Sequence, residues 1–305
     1  MTYVGLFVVS LVVLLWASDK FIESAEKIGL SFGISPFIIG VTIVAFGTSL
    51  PELATSIASV FSGTSEIVTG NVIGSNITNI LLVFGVTAII DKEMRLDFDI
   101  VNTDMPILIT SALMLYFIVY DGQVTLFEGI LFLLGLVVFL YNSFSSEREE
   151  LEDRPSVNFR QYILLLIGAL LVYFSAKYTI YAIEKISAIA EIPADIIALT
   201  GVALGTSLPE LIVSIAAAKK GKHAIAVGNV LGSNLFNTFA VMGIPRLFGD
   251  LKITEITTSF TSLFMLAVTI LFFFVTLSKR ISRMEGFLLI LLYLFFIGHL
   301  VHTGL

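Results

Sequence analysis

The stretch GTSLPEL, residues 47–53, returns letter for letter at 205–211. In each copy a glutamate follows a proline inside a long apolar run. Proline removes a backbone donor and crowds the carbonyl four residues back. A carboxylate at bilayer depth costs roughly 2.5–3.5 kcal/mol on an insertion scale. Spending both, twice, asks for a purpose that a plain helix does not have.

The surroundings make that cost real. The chain has 305 residues, 57% hydrophobic and 13% charged, with a mean hydropathy of +0.99. Soluble domains carry about 25% charged residues. Apolar runs near the spanning length recur from end to end, so the chain reads as an all-α polytopic membrane protein. It has no cysteine, which excludes disulfides and thiolate metal sites. No basic face suits a nucleic acid, and no cofactor motif is present. His223, His299 and His302 lie near helix ends and form no ligand cluster. The apolar N-terminus lacks the basic region of a signal peptide, and a similar segment returns at 162–175; it reads as a first span.

The two heptads are 158 residues apart, and the same offset joins Glu26 to Glu184, Gly70 to Gly228, Ser75 to Ser233, Asn79 to Asn237 and Gly85 to Gly243. Residues 1–143 and 160–305 therefore form two repeats, joined by a charged linker over 144–159. Each repeat carries five spans, near 3–29, 34–62, 66–90, 105–120 and 124–143, then 160–189, 192–218, 223–247, 257–278 and 284–302. An odd number inverts the second repeat relative to the first. Lys and Arg collect on the side of the linker, among them Lys92, Arg148, Arg154, Lys219, Lys220, Lys222 and Arg280. The positive-inside rule then predicts a cytoplasmic linker and both termini outside. Inverted repeats with interrupted helices mark many secondary transporters, whose site lies at the repeat interface.

The heptad supplies oxygen. Pro51 is expected to interrupt its helix and free carbonyls near Gly47, and unpaired carbonyls persist at membrane depth only where they are buried or line a cavity. Thr48 and Glu52 share a helix face, with Ser49 beside them; Thr206, Ser207 and Glu210 repeat the set. The following spans, GNVIGSNITN and GNVLGSNLFN, place Asn71, Ser75 and Asn79, and Asn229, Ser233 and Asn237, in polar stripes. Gly70 with Gly74, and Gly228 with Gly232, are spaced for close helix approach. Two glutamates would repel one another, so a cation or a proton must accompany them. An all-oxygen cage of charge −2 suits Ca²⁺ or several Na⁺ and not zinc or copper. For Asn71, Asn76, Asn229 and Asn234 helix–helix glue and ion binding weigh about equally. Asp19, Glu23 and Glu26 read as interfacial charges.

Two copies of GTSLPEL, each followed by GNVxGSN, resemble the repeats of the cation/Ca²⁺ antiporter superfamily, and in particular its prokaryotic sodium/calcium exchangers. The resemblance implies a transporter, not an enzyme, in a prokaryotic cell membrane, carrying Ca²⁺ and Na⁺ without a cofactor. It implies a Ca²⁺ site of Glu52, Glu210, Thr48 and Thr206. One Na⁺ site would use Ala45, Thr48, Ser49, Glu52 and Ser233; the other Ala203, Thr206, Ser207, Glu210 and Ser75. Asn79 and Asn237 would lie between them. The first span of each repeat would slide across the rest to alternate access. The potassium-dependent branch has aspartate where this chain has Asn237, which argues for K⁺-independent exchange. H⁺/Ca²⁺ exchange at the same glutamate pair is the alternative; the hydroxyls of Ser49, Ser75, Ser207 and Ser233 favour Na⁺. A cation channel would seldom need an inverted repeat with one closed site, and no histidine or aspartate lies near the heptads to serve a hydrolase.

Overall fold

The computed structural model describes residues 2–90, 93–95, 104–145, 155–189 and 207–302. Among them are ten helices: α1 Thr2–Ser31, α2 Pro36–Phe61, α3 Glu66–Ile90, α4 Asp104–Val119, α5 Leu126–Ser145 and α6 Phe159–Ile189. Then follow α7 Leu208–Lys219, α8 His223–Arg246, α9 Thr257–Leu277 and α10 Arg283–His302. Each falls on one of the ten expected spans, and the start of the seventh lies outside the described residues. Eight are long and apolar enough to cross a membrane, and α4 is a shorter apolar helix. The chain is an all-α polytopic membrane protein.

Burial sorts the helices into a centre and a surround. The apolar stretch of α8 is 100% buried, against 22% for α5 and for α10. The surround exposes Val8, Val9 and Val12 on α1, Val137 and Val138 on α5, and Leu288, Leu291 and Leu294 on α10. Water does not tolerate apolar surface on that scale; lipid does. Two hydrophobic clusters lie inside. The larger, with Val72, Phe84, Leu115, Phe132, Leu231 and Phe272, unites α3, α4, α5, α8 and α9 with neighbours. The smaller joins Leu14, Phe21 and Ile22 of α1 and Val172 and Ala176 of α6 to Val44, Val213 and Ile225. Helices α1 and α6 run along one another, with Thr179 Oγ1 donating to Ser10 Oγ at 2.9 Å. The Cα of Phe21 lies 3.2 Å from where a Cβ on Gly168 would stand.

The charged end of α1 is tied to the α7–α8 turn. Lys220 Nζ lies 3.1 Å from Asp19 and 3.2 Å from Glu23, and Lys222 pairs with Glu26. These interfacial acids are ion-paired across helices.

Two short ribbons brace the bundle. β1 (Glu93–Arg95), after α3, pairs antiparallel with β4 (Arg280–Ser282), before α10. β2 (Gln123–Val124), before α5, pairs with β3 (Leu251–Lys252), after α8. Helix α4 separates β1 from β2, so the ribbons lie at opposite ends. The 158-residue offset relates β1 to β3 and β2 to β4. Strands related by the offset thus sit at opposite ends.

Pro51 does not interrupt its helix as expected. It lies within a continuous α-helical run, Ala45–Phe61, and the departure from α geometry comes earlier, as a π turn at Gly40–Val44. The physical reason is packing. Gly40 is pressed onto α8, where an added Cβ would meet Ile225 O at 2.6 Å. A π turn lets the ladder slip by one residue without exposing a gap. Pro209 sits in the first turn of α7, where a missing N–H costs no hydrogen bond.

Candidate functional site

Helices α2 and α8 approach closely enough for their backbones to touch. A Cβ on Gly228 would meet Phe37 O at 2.6 Å and Val41 N at 2.9 Å, and one on Gly232 would meet the Cβ of Ala45 at 2.7 Å. The close-approach reading therefore holds at Gly228 and Gly232. At Gly70 and Gly74 no described atom lies within 4 Å. By the 158-residue offset, the equivalents of Gly40–Ala45 are 198–203, outside the described residues.

This contact carries the heptad of one repeat onto the GNVLGSN stripe of the other. Thr48 Oγ1 donates to Asn229 Oδ1 at 3.1 Å, lies 3.4 Å from Ser233 Oγ, and is within 3.2 Å of Ala45 O. Ser49 Oγ donates to Glu210 Oε1 at 3.0 Å. Asn79 Nδ2 donates to Asn234 Oδ1 at 3.4 Å, and Asn76 Nδ2 to Thr238 Oγ1 at 3.1 Å. Every one of these bonds except the Ala45 contact crosses between the repeats.

Glu52 and Glu210 are both fully buried, and the Ser49 bond joins the helix of one to the side chain of the other. Both oxygens of Glu52 and Oε2 of Glu210 have no hydrogen-bond partner among the described residues; nor do Ser207 Oγ, Asn79 Oδ1, or either side-chain polar atom of Asn237. Buried polar groups are nearly always satisfied, and a bare buried carboxylate is far more costly than a bare hydroxyl. Unpartnered buried oxygens on both halves of the chain are the kind of donor that could hold a hard cation. Ala45, Ser75 and Ser233 are buried in the same helices. Ala203 and Thr206 lie outside the described residues.

Sequence spacing did not single out Ser56 and Ser214. Asn71 Nδ2 bonds Glu52 O and Ser56 Oγ at 3.4 and 3.3 Å. Asn229 Nδ2 bonds Glu210 O and Ser214 Oγ at 3.4 and 3.0 Å. The two sets match at the 158-residue offset. Each clamps the backbone that carries a site glutamate, so Asn71 and Asn229 position the carboxylates as well as joining helices. A serine four residues after each glutamate was the available signal.

The last asparagine of each stripe starts a π turn, Asn79–Phe84 and Asn237–Val241. Such turns are frequent at functional sites.

The sodium/calcium exchanger family model matches residues 2–145 and 160–301. The chain belongs to the sodium/calcium exchanger family. The exchanger is 33% identical to a putative antiporter, CaxA, of Alkalimonas amylolytica, over 94% of each chain. It is 32% identical to the sodium/calcium exchanger MaX1 of Methanosarcina acetivorans, over 96% of each. Its structure superposes on that of the sodium-calcium exchanger NCX_Mj, soaked with Na⁺ and Sr²⁺, with a TM-score of 0.85 at 31% identity, covering 97% of this chain and 98% of that one. The exchanger is thus an integral membrane cation/Ca²⁺ antiporter, a transporter and not an enzyme.

Proposed function

We propose that this antiporter exchanges Na⁺ for Ca²⁺ by alternating access, electrogenically and without K⁺. The observation that carries the reading is the pair of buried glutamates with unpartnered oxygens, one from each repeat. One Ca²⁺, or Na⁺ ions, would neutralise their charge of −2. Ca²⁺ would be held by Glu52, Glu210, Thr48 and Thr206. Na⁺ would be held by Ala45, Thr48, Ser49, Glu52 and Ser233, and by Ala203, Thr206, Ser207, Glu210 and Ser75. A site emptied of cations would have to carry bare carboxylates past an apolar barrier, at a cost that couples the two fluxes. Exchange of three Na⁺ for one Ca²⁺ would move one net charge, biased by about 2.3 kcal/mol per 100 mV.

The smaller hydrophobic cluster supports α1 and α6 as the sliding pair, because it keeps their contacts apart from the main core. Asn237 in place of a carboxylate supports K⁺ independence. The repeats would run over 1–143 and 160–305, the linker 144–159 would be cytoplasmic and both termini outside.

Vesicles loaded with Na⁺ and diluted into Na⁺-free medium test this. Ca²⁺ should enter only with the outward Na⁺ gradient, and faster with the interior held positive, because each cycle carries one net positive charge out; at a matched membrane potential, replacing K⁺ by choline should not change the rate. Entry driven by a pH gradient alone, and abolished by a protonophore, would replace the Na⁺ reading with H⁺/Ca²⁺ exchange.

A further inference from the structure

A cavity of about 320 Å³ opens between α1 and the start of α6, lined by Trp16, Lys20, Glu23, Lys27, Arg160 and Gln161 among others. It lies outside the cation site. Its lining charge is net positive, Lys20, Lys27 and Arg160 against Glu23. Lys20 bonds Glu23 at 2.9 Å, but Glu23 is shared with Lys220. Lys27 and Arg160 have no ion-pair partner among the described residues and are exposed. Arg160 stands in the first turn of α6, where free backbone amides add to the positive potential.

The inverted repeat provides an internal comparison. The offset carries 16, 20, 23 and 27 to Phe174, Tyr178, Tyr181 and Lys185, and 160 and 161 to Thr2 and Tyr3. At that end Tyr3 meets Tyr181 edge-on at 6.2 Å, and Lys185 Nζ lies 5.4 Å from the Tyr181 ring centre. Aromatic rings occupy one end of the α1–α6 pair, and three cations line a cavity at the other. The two ends of the α1–α6 pair therefore differ in chemistry.

Its flank is apolar. Val12, Leu15 and Trp16 are 60%, 43% and 54% exposed, one to four turns along α1 from the lysines. Trp16 is the single tryptophan, a residue that favours the headgroup level. Cations at the mouth with an apolar strip below match a phosphate headgroup and its acyl chains rather than a free phosphate. We propose that this cavity binds the headgroup of an anionic phospholipid, with Lys27 and Arg160 on the phosphate. Basic pockets between membrane helices do this generally. A lipid there would bridge the two helices outside the main core, so exchange would respond to lipid charge.

The test uses the purified full chain, delipidated in neutral detergent and titrated with phosphatidylglycerol or phosphatidylcholine, with bound lipid counted by native mass spectrometry. One phosphatidylglycerol should be retained in preference to phosphatidylcholine, and increasing NaCl should weaken it. Lys27→Gln with Arg160→Gln should weaken retention by about thirty-fold, the surface value of two basic side chains. Lys185→Gln, at the opposite end, should leave it unchanged. Excess sn-glycerol 3-phosphate should not displace the lipid. Equal retention of both lipids, or full retention in the double variant, overturns the proposal. Displacement by glycerol 3-phosphate overturns it in favour of a soluble phosphate. Should the double variant not fold, Arg160→Gln alone and the salt titration of the unaltered chain decide: no loss in either overturns it. None of these readings depends on which ion drives transport.

Discussion

Gly228→Ala should disable the exchanger from a position that holds no ion. The new Cβ would stand 2.6 Å from Phe37 O, 2.9 Å from Val41 N and 3.0 Å from Gly40 Cα. All three are backbone atoms, so no side chain can rotate out of the way. Restoring an ordinary contact of 3.4 Å from 2.6 Å requires α2 and α8 to part by about 0.8 Å. The Thr48–Asn229 bond at 3.1 Å, which joins the same two helices, does not tolerate that shift. Overpacking of this kind costs about 1–3 kcal/mol. We expect a lower melting temperature and at least a tenfold drop in Ca²⁺ uptake, measured on the same purified sample in detergent and in vesicles. Gly298→Ala is the control: no described atom lies within 4 Å of its Cβ, and alanine gains about 1 kcal/mol of helix propensity. Full uptake and unchanged melting in Gly228→Ala would refute the claim that backbone contact between α2 and α8 sets the site.

Three more outcomes follow from the same geometry. Ser49→Ala removes the hydroxyl bonded to Glu210; a hydrogen bond to a charged group is worth about 1.5–3 kcal/mol, so the Na⁺ needed for half-maximal Ca²⁺ release should rise roughly tenfold or more. An unaltered Na⁺ requirement would remove Ser49 from the Na⁺ set. Asn229→Ala and Ser214→Ala should be coupled by about 0.5–1.5 kcal/mol in a double-mutant cycle on thermal stability, since their side chains bond directly at 3.0 Å; additive losses would show the clamp to be incidental. Lys220→Gln with Lys222→Gln opens the ties to Asp19, Glu23 and Glu26. Partly exposed pairs contribute about 0.2–1 kcal/mol each, so the unaltered chain should lose stability with added NaCl while the double variant does not; parallel salt curves would count against a role for the ties.

Much of this molecule is legible in its letters because lipid is a demanding solvent. Spanning length and hydropathy set the helices, and the 158-residue offset exposes the repeat. Glu52 and Glu210 stand out because nothing apolar surrounds a carboxylate without cause. What stayed hidden depends on partners distant in sequence. The slip at Gly40–Val44 follows from the pressure of Ile225 and Gly228, which no local rule at Pro51 reveals. Ser56 and Ser214 look like ordinary small helix residues until Asn71 and Asn229 reach them. Asp19, Glu23 and Glu26 read only as interfacial charges because Lys220 and Lys222 lie about 200 positions away.

The ribbons carry a consequence for how the chain is made. β1 waits for β4 and β2 for β3, and Ser49 waits for Glu210. A ribosome finishes the first repeat before any of those partners exist. That half must therefore rest in the bilayer with open strand edges and an incomplete cation cage, and only the arrival of the second half can close both. Two separately encoded halves should accordingly assemble into a working transporter, while either one alone should remain a target for the membrane's quality-control proteases.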